Sequence, residues 1–524
     1  MRYISYTSDG AYHGQSFFSI KKIKILVIAT ACLISTSALS DELANGKLTK
    51  SQVKAAQSAL NELGFDAGAV DGSLGKKTRN AYAAFAENNA LENDGDFSEN
   101  EVATLRAFNF NSKNPTDLSR LALPVGGWAL DMQKPEVLEQ RKVLSRGYSE
   151  RVRDDRGQLW KSNCTDVLSN TNQISQKIAK GSYDDRGGPL GIHGCLEGIG
   201  NIVSYDQDFS PIATVLGFLS NKTYQEYNVR DFNGYYNALS VIAVLATHYA
   251  VFYDEYDLTT AERKKIDGFL IKNLQIDIDQ SRRNYGSVMS NLVPCDHTAF
   301  DLFGFGPEQN KASKKWVDND TCGSLRWKLV NAQAALGLRL NNKILFEMAK
   351  YNTQFMLNLF DENNIFVTWA SQSGKAINYS KEVPSMLGLQ TELYKSAGFD
   401  LLEFKGRNGG RVADYQSTYW SLWNENPLFK DTPIYKYAER PLRANEKAVN
   451  QIENETLRNL FKDQDTHAPT LARWVKRYAL RYDTSIIKHD EPNQFRDGIS
   501  GHPNNIIGSF NIVDIELLRL ANDD

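Results

Sequence analysis

The sequence predicts a mainly α chain, a small helical module followed by a large helical domain of the α/α toroid type, and three observations predict it. Apolar residues recur at the spacing of one helical face from Val53 onward, as in Val53, Ala56, Leu60 and Leu63. The segment 237–253, NALSVIAVLATHYAVFY, is apolar nearly all round, so it must be buried on both sides. Residues 135–522 then divide into successive helical hairpins without a fixed repeat, which suits a ring around a central groove better than a bundle or a solenoid.

Composition bounds the function classes. The 524 residues are 41% hydrophobic, 11% aromatic and 23% charged, enough apolar material for two or three domains with sizeable cores. A formal net charge of −3 argues against a non-specific nucleic-acid binder, which needs a basic excess to neutralise phosphates, so no nucleic-acid partner is expected. Lys21, Lys22 and Lys24 lead into an apolar run over 25–34 and then into Ser35-Thr-Ser-Ala-Leu-Ser40. This is the order of a signal peptide, read as residues 1–40. Its run is shorter than the roughly 20 residues that span a bilayer, so no membrane span is expected after cleavage, and the expected location is periplasmic or secreted.

Removing the leader leaves Cys164, Cys195, Cys295 and Cys322. An even number in an exported chain points to disulfides, and the sequence-local pairs Cys164–Cys195 and Cys295–Cys322 are the preferred connectivity. Zinc is the competing reading, but it lacks any Cys-x-x-Cys pair, so neither metal nor cofactor is expected.

The module spans residues 48–106. Its first helix ends at Leu63-Gly64-Phe65, a glycine-bearing turn follows at Val70-Asp71-Gly72-Ser73-Leu74-Gly75, and a second helix from Lys77 to Asn88 puts Tyr82, Phe85 and Ala86 on one face. Gly72 and Gly75 permit the tight turn. Asp71 and Thr78 are expected to bond local backbone and cap the next helix. The stretch VKAAQSALNELGFDAGAVDGSLGKKTRNAYAAFAENNAL resembles the three-helix peptidoglycan-binding domain carried by many secreted hydrolases, through Leu-Gly-Phe, Val-Asp-Gly and Gly-x-x-Thr before a helix ending in Phe. The resemblance implies peptidoglycan as a partner of this module. Residues 107–134, rich in Asn, Pro and Gly, read as a linker.

In the large domain, 135–522, helices are expected over 260–272, 325–338, 343–359, 383–397 and 446–461. No nucleotide loop, His-Glu-x-x-His or Gly-x-Ser-x-Gly occurs, which weakens kinase, zinc-protease and esterase readings. The stretch IFVTWASQSGKAINYSKEVPSMLGLQTE, residues 365–392, resembles the alginate-lyase-like polysaccharide lyases, in which a basic residue and Ala-Leu-x-Tyr precede an apolar helix. Lys375-Ala376-Ile377-Asn378-Tyr379 occupy that pattern, and the helix over 326–349 stands upstream as the family would place it. Three departures accompany the resemblance. Lys375 stands where the family has Arg, Glu382 stands where it has a catalytic Tyr, and its Asn-Asn-His is missing, with Asp320-Thr321-Cys322-Gly323 near that place.

The resemblance implies a lyase acting on an acidic polysaccharide, a uronate-containing polymer, by β-elimination. Removing the C5 proton requires neutralising the C6 carboxylate, a base with its pKa near the working pH, and an acid for the departing C4 oxygen. His297, in Cys295-Asp296-His297-Thr298, is the leading base or carboxylate neutraliser, and Tyr379 the candidate proton donor or acceptor; each could equally be structural. Lys375 and Arg326 are candidate carboxylate binders, against roles in a salt bridge or at the surface. His193, in a glycine-rich loop beside Cys195, is a candidate to line the groove or a tight connector, whereas His248, inside the apolar helix, is expected in the core. Tyr235, Tyr236, Tyr285, Trp316, Trp369, Tyr415, Tyr419 and Trp420 supply rings for stacking on sugars or for packing. Two other classes compete: a non-catalytic periplasmic scaffold that grips glycan during export, and a glycoside hydrolase, which needs two carboxylates across the groove and has Asp296, Asp320 and Glu382 to draw on.

Overall fold

The computed structural model describes residues 48–91, 93, 95, 97–142, 207–221, 232–276, 278, 292–293, 316–317, 324–360, 364–366, 383–415, 417–418 and 515–522. Among them the elements are α1 (Lys50–Glu62), α2 (Lys76–Asn88), α3 (Glu99–Lys113), α4 (Asp117–Arg120), α5 (Ser210–Ser220), α6 (Phe232–Val251), α7 (Thr260–Leu274), α8 (Ser324–Arg339), α9 (Lys343–Leu357), α10 (Val383–Ser396) and α11 (Ile515–Asn522). Two-residue strands β1 (Leu292–Val293) and β2 (Trp316–Val317) pair in parallel, Leu292 opposite Trp316. The chain is therefore mainly α, with α1 to α3 forming the small module and the later helices the large domain.

Local chemistry sets several helix starts. Thr49 with Gln52, Ser98 with Glu101 and Thr259 with Glu262 each form a reciprocal capping box, which satisfies otherwise orphaned N–H groups at α1, α3 and α7. Thr78 does not cap α2 as expected. Gly75 stands at that N-cap without a side-chain bond, and the Thr78 hydroxyl is buried, donating to the Ala67 carbonyl and accepting from Gln57. Gly72 does adopt a left-handed φ of +81°, whereas Gly75 does not. A Cβ on Gly72 would also collide with Lys50 Cγ and come within 2.7 Å of the Lys50 carbonyl oxygen, so α1 and the turn approach as closely as only glycine allows.

The module core gathers Val53, Leu60, Tyr82, Phe85 and Leu105, with Phe85 edge-on to both Phe65 and Phe108. Full burial of a ring such as Phe85 contributes about 1.5–3 kcal/mol. α3 does not stop at this core. It runs across the expected boundary at residue 106 and lays its other face, Ala103 and Ala107, into the core of the large domain. The expected linker is accordingly packed: Leu118 is fully buried, and Lys350 Nζ donates to the carbonyls of Ser119 and Leu121 at 2.9 and 2.7 Å.

In the large domain α6 is buried on all sides from Leu239 to its end, as an all-round apolar helix requires. It packs on α8, and α8 and α9 form a hairpin joined by three residues. Gly337 sits at their crossing, where a Cβ would lie 2.8 Å from Phe346 N, so the two backbones touch. α10 packs on α8 and is covered by α11, whose Leu517, Leu518 and Ala521 are buried.

Candidate functional site

A polar seam runs through the apolar core of the large domain. Arg326 in the first turns of α8 is wholly buried; its Nη1 donates to Asn352 Oδ1 at 2.6 Å, and its guanidinium carbon lies 4.3 Å from the centre of the Phe355 ring. Asn352 Nδ2 donates to Gln333 Oε1 at 2.9 Å, and Gln333 Nε2 donates to the Leu274 carbonyl at 2.9 Å. One chain of hydrogen bonds thus ties α8 and α9 to the end of α7. Side chains at i and i+4 share a face, so Trp327 and Asn331 of α8 lie together on another side of the same helix.

Several groups in this region have no partner. Both amide atoms of Asn331 and of Gln390, the indole N–H of Trp327 and the hydroxyl of Ser240 are buried without a hydrogen bond. An unpaired buried polar group costs about 1–3 kcal/mol, and native cores seldom keep one without a use. These residues sit on α6, α8 and α10, and α8 packs against the other two.

Arg326 and Asn352 also line a small cavity with Met348, Tyr351, Ile276 and Ile278, which is closed on the module side by Ala103 and Arg106 of α3. Of the expected site residues, Arg326 is the one whose surroundings the structure describes. It sits in the seam, gripped by an amide and a ring, rather than on a surface. His193, His297, Lys375 and Tyr379 lie outside the described residues, as do Cys164, Cys195, Cys295 and Cys322. Tyr379 is four positions ahead of the first residue of α10 in the sequence, and α10 packs on α8, which carries Arg326.

Other titratable groups are held for packing. His248 is fully buried with Nδ1 2.7 Å from the Tyr256 hydroxyl, in agreement with its expected core role. Tyr256 itself is pushed well up by burial. Tyr249 and Tyr253 donate to the two oxygens of Asp267 at 2.9 and 3.0 Å; burial raises the Asp267 carboxyl above its usual range, while the two hydroxyls and Arg263 oppose the shift. Burial also lowers Lys350, against the pull of Glu347 beside it. Tyr415, one of the candidate sugar-stacking rings, is instead buried flat on Phe360, with centroids 4.0 Å apart, and donates to Asn408. Among the described residues no three His, Cys, Asp or Glu side chains converge as a metal site would require.

Residues 49–105 match the family described as "Putative peptidoglycan binding domain". No protein of curated function matches the chain. Among solved structures the chain is similar to alginate lyase A1-III from Sphingomonas species A1, at 15% identity and a TM-score of 0.36, over 59% of this chain and 74% of that one. It is also similar to the apo form of a histidine-to-alanine variant of alginate lyase A1-III, at 14% identity and a TM-score of 0.37 over the same shares. A tyrosine-to-phenylalanine variant complexed with tetrasaccharide matches at 14% identity and a TM-score of 0.32, over 49% of this chain and 61% of that one.

Proposed function

We propose that this chain is an exported lyase that cleaves a uronate-containing polysaccharide by β-elimination in its large helical domain. The observation that carries the reading is the polar seam at the start of α8, where a guanidinium is buried and held by Asn352, on a helix that also carries the partnerless amide of Asn331 and indole N–H of Trp327. Carboxylate and hydroxyl groups of an acidic sugar are the chemistry that such cations and amides serve. The sequence pattern at Lys375 and Tyr379, just ahead of α10, supplies the reacting groups in this reading.

The roles follow from the acidity problem. Lys375 neutralises the C6 carboxylate, which lowers the cost of the carbanion that forms when C5 loses its proton, and Arg326, wholly buried, adds its charge without touching the sugar. His297 takes that proton. Tyr379 protonates the C4 oxygen as the C4–O bond breaks, leaving a C4–C5 double bond in the new non-reducing end. The assignment of His193 to the groove belongs to the same proposal, as does peptidoglycan as a partner of the module.

Incubation with polymannuronate and polyguluronate tests this. A lyase generates an unsaturated end that absorbs in the ultraviolet, and His297→Ala and Tyr379→Phe each remove that signal. Reducing ends without absorbance would establish a hydrolase instead. Retardation of the chain by the polymer with neither product would establish the scaffold reading.

A further inference from the structure

The module carries its charge unevenly, and the distribution points to a second polymer contact. The turn 66–75 is flanked by exposed Lys50 and Lys54 of α1 and by exposed Lys76, Lys77 and Arg79 of α2. Lys50 and Lys54 lie against Gly72, and Lys77 lies against Gly68. Among the described residues of this end the carboxylates are Asp66, paired with Lys77 at 2.9 Å, exposed Asp71, which accepts from the Ser73 N–H and from Gln57, and Glu99, which accepts from Gln52 of α1. Five cations thus meet three carboxylates, and this end keeps a positive excess on a chain whose formal net charge is −3. Val70, 45% exposed, sits on the same turn.

This arrangement opposes the module's own stability. Cations are unfavourable near a helix N-terminus, yet α1 and α2 have no acidic residue in their first turns while Lys50, Lys76 and Lys77 lie there. α3 of the same module is arranged the favourable way, with Glu99 and Glu101 in its first turn and Lys113 in its last. The difference follows the docking: α3 is fastened to the large domain, while the basic turn stands on the part of α1 and α2 that remains exposed.

We infer that this basic end of the module binds an acidic polysaccharide electrostatically, holding the polymer that the large domain is proposed to cleave. The partner class rests on the reading above. Charge complementarity favours a polyanion with carboxylates along its length, met by Lys50, Lys54, Lys76 and Arg79 flanking one turn, with Lys77 shared with Asp66. A lipid surface is less suited, because the patch offers the single aliphatic side chain of Val70 rather than an apolar helix face. α3 is shared between the module core and the large domain, so polymer held here has a fixed bearing on that domain.

The test uses the full chain in native gels containing polymannuronate, with neutral dextran, peptidoglycan sacculi and phosphatidylglycerol vesicles as the other arms. Retardation by polymannuronate should weaken with salt, and the triple variant Lys54→Glu, Lys76→Glu, Arg79→Glu should bind roughly tenfold more weakly. These side chains are exposed, so melting should be unchanged or improved; the milder alanine triple variant, losing part of the affinity, guards against a misfolded reversal. Unchanged binding in both variants, equal retention by dextran, or preference for sacculi or vesicles would overturn the inference. Cleavage is read separately. Charge-dependent binding without unsaturated product removes the lyase reading alone, and product formation with variant-insensitive binding removes this one alone.

Discussion

The module core and the helix pair α8 and α10 of the large domain differ in how they hold certain buried amides. In the module, buried Gln57 is fully engaged: Nε2 reaches Asp71, the Ser73 carbonyl and Thr78, while Oε1 accepts from the Gly72 N–H at 2.9 Å. Buried Gln52 and Thr104 are engaged too, with Glu99 and Gln275. In the large domain Asn331 and Gln390 are as deeply buried and bond to nothing. A satisfied buried amide rigidifies its surroundings, and an orphaned one subtracts stability. The comparison marks Asn331 and Gln390 as positions where stability has been given up, which is where a binding or catalytic role is expected.

Paired substitutions of one kind test that contrast. Gln57→Met, an apolar replacement of similar size, should destabilise the module by about 1–3 kcal/mol, because it takes the acceptor from the Gly72 N–H and the donor from Thr78, the Ser73 carbonyl and Asp71. Hydrogen exchange across residues 49–91 would report the loss, and an unchanged pattern would show that the turn does not depend on this amide. Asn331→Leu should do the reverse, raising the denaturation midpoint of the large domain by an amount equivalent to about 1 kcal/mol. Where Asn331 serves the substrate, the same variant also loses activity; a destabilised variant would mean that the amide is satisfied in solution.

Acid should divide the two regions as well, by a smaller margin. In the module Glu62 is held below its usual range by the hydrogen bond from Lys113, Asp66 by Lys77, and Asp71 by the Ser73 N–H. Their contribution is present above the ordinary carboxylate range and is lost as pH falls through the lowered values. Asp267 and Glu255 of the large domain are raised by burial, so their contribution is greatest below the ordinary range and is lost as pH rises through the raised values. On acidification from neutrality, exchange should slow around α6 and α7 before it quickens in the module. The opposite order would sink the assignment.

Much of this architecture was legible in the residues. The capping pairs Thr49 with Gln52 and Thr259 with Glu262 mark helix starts by local hydrogen-bond chemistry, and the all-apolar run of α6 announces burial on every side. The starts and ends of α7 to α10 fall within two residues of those read from periodicity. The candidate site was less legible. Arg326 is visible as a cation in a helix, but its hold by Asn352 and Phe355 depends on α9, a separate helix that sequence spacing alone cannot orient.

The boundary at residue 106 shows the same limit. Composition rich in Asn, Pro and Gly describes a chain without strong local preference, and such a segment takes whatever structure its neighbours impose; here Asn111 donates to Glu347 and accepts from Gln354, fixing the end of α3 to α9. By itself the sequence determined the helical class, the module with its glycine turn, and the positions of most helices, because hydrophobic period and end-capping act over a few residues. Only the tertiary structure decided that α3 serves two cores, that Lys50 and Lys54 of α1 lie against Gly72, and that a cation and bare amides lie in an apolar interior. Those facts depend on contacts between residues far apart in sequence, such as Asn111 and Gln354 at 243 positions, which no local pattern encodes.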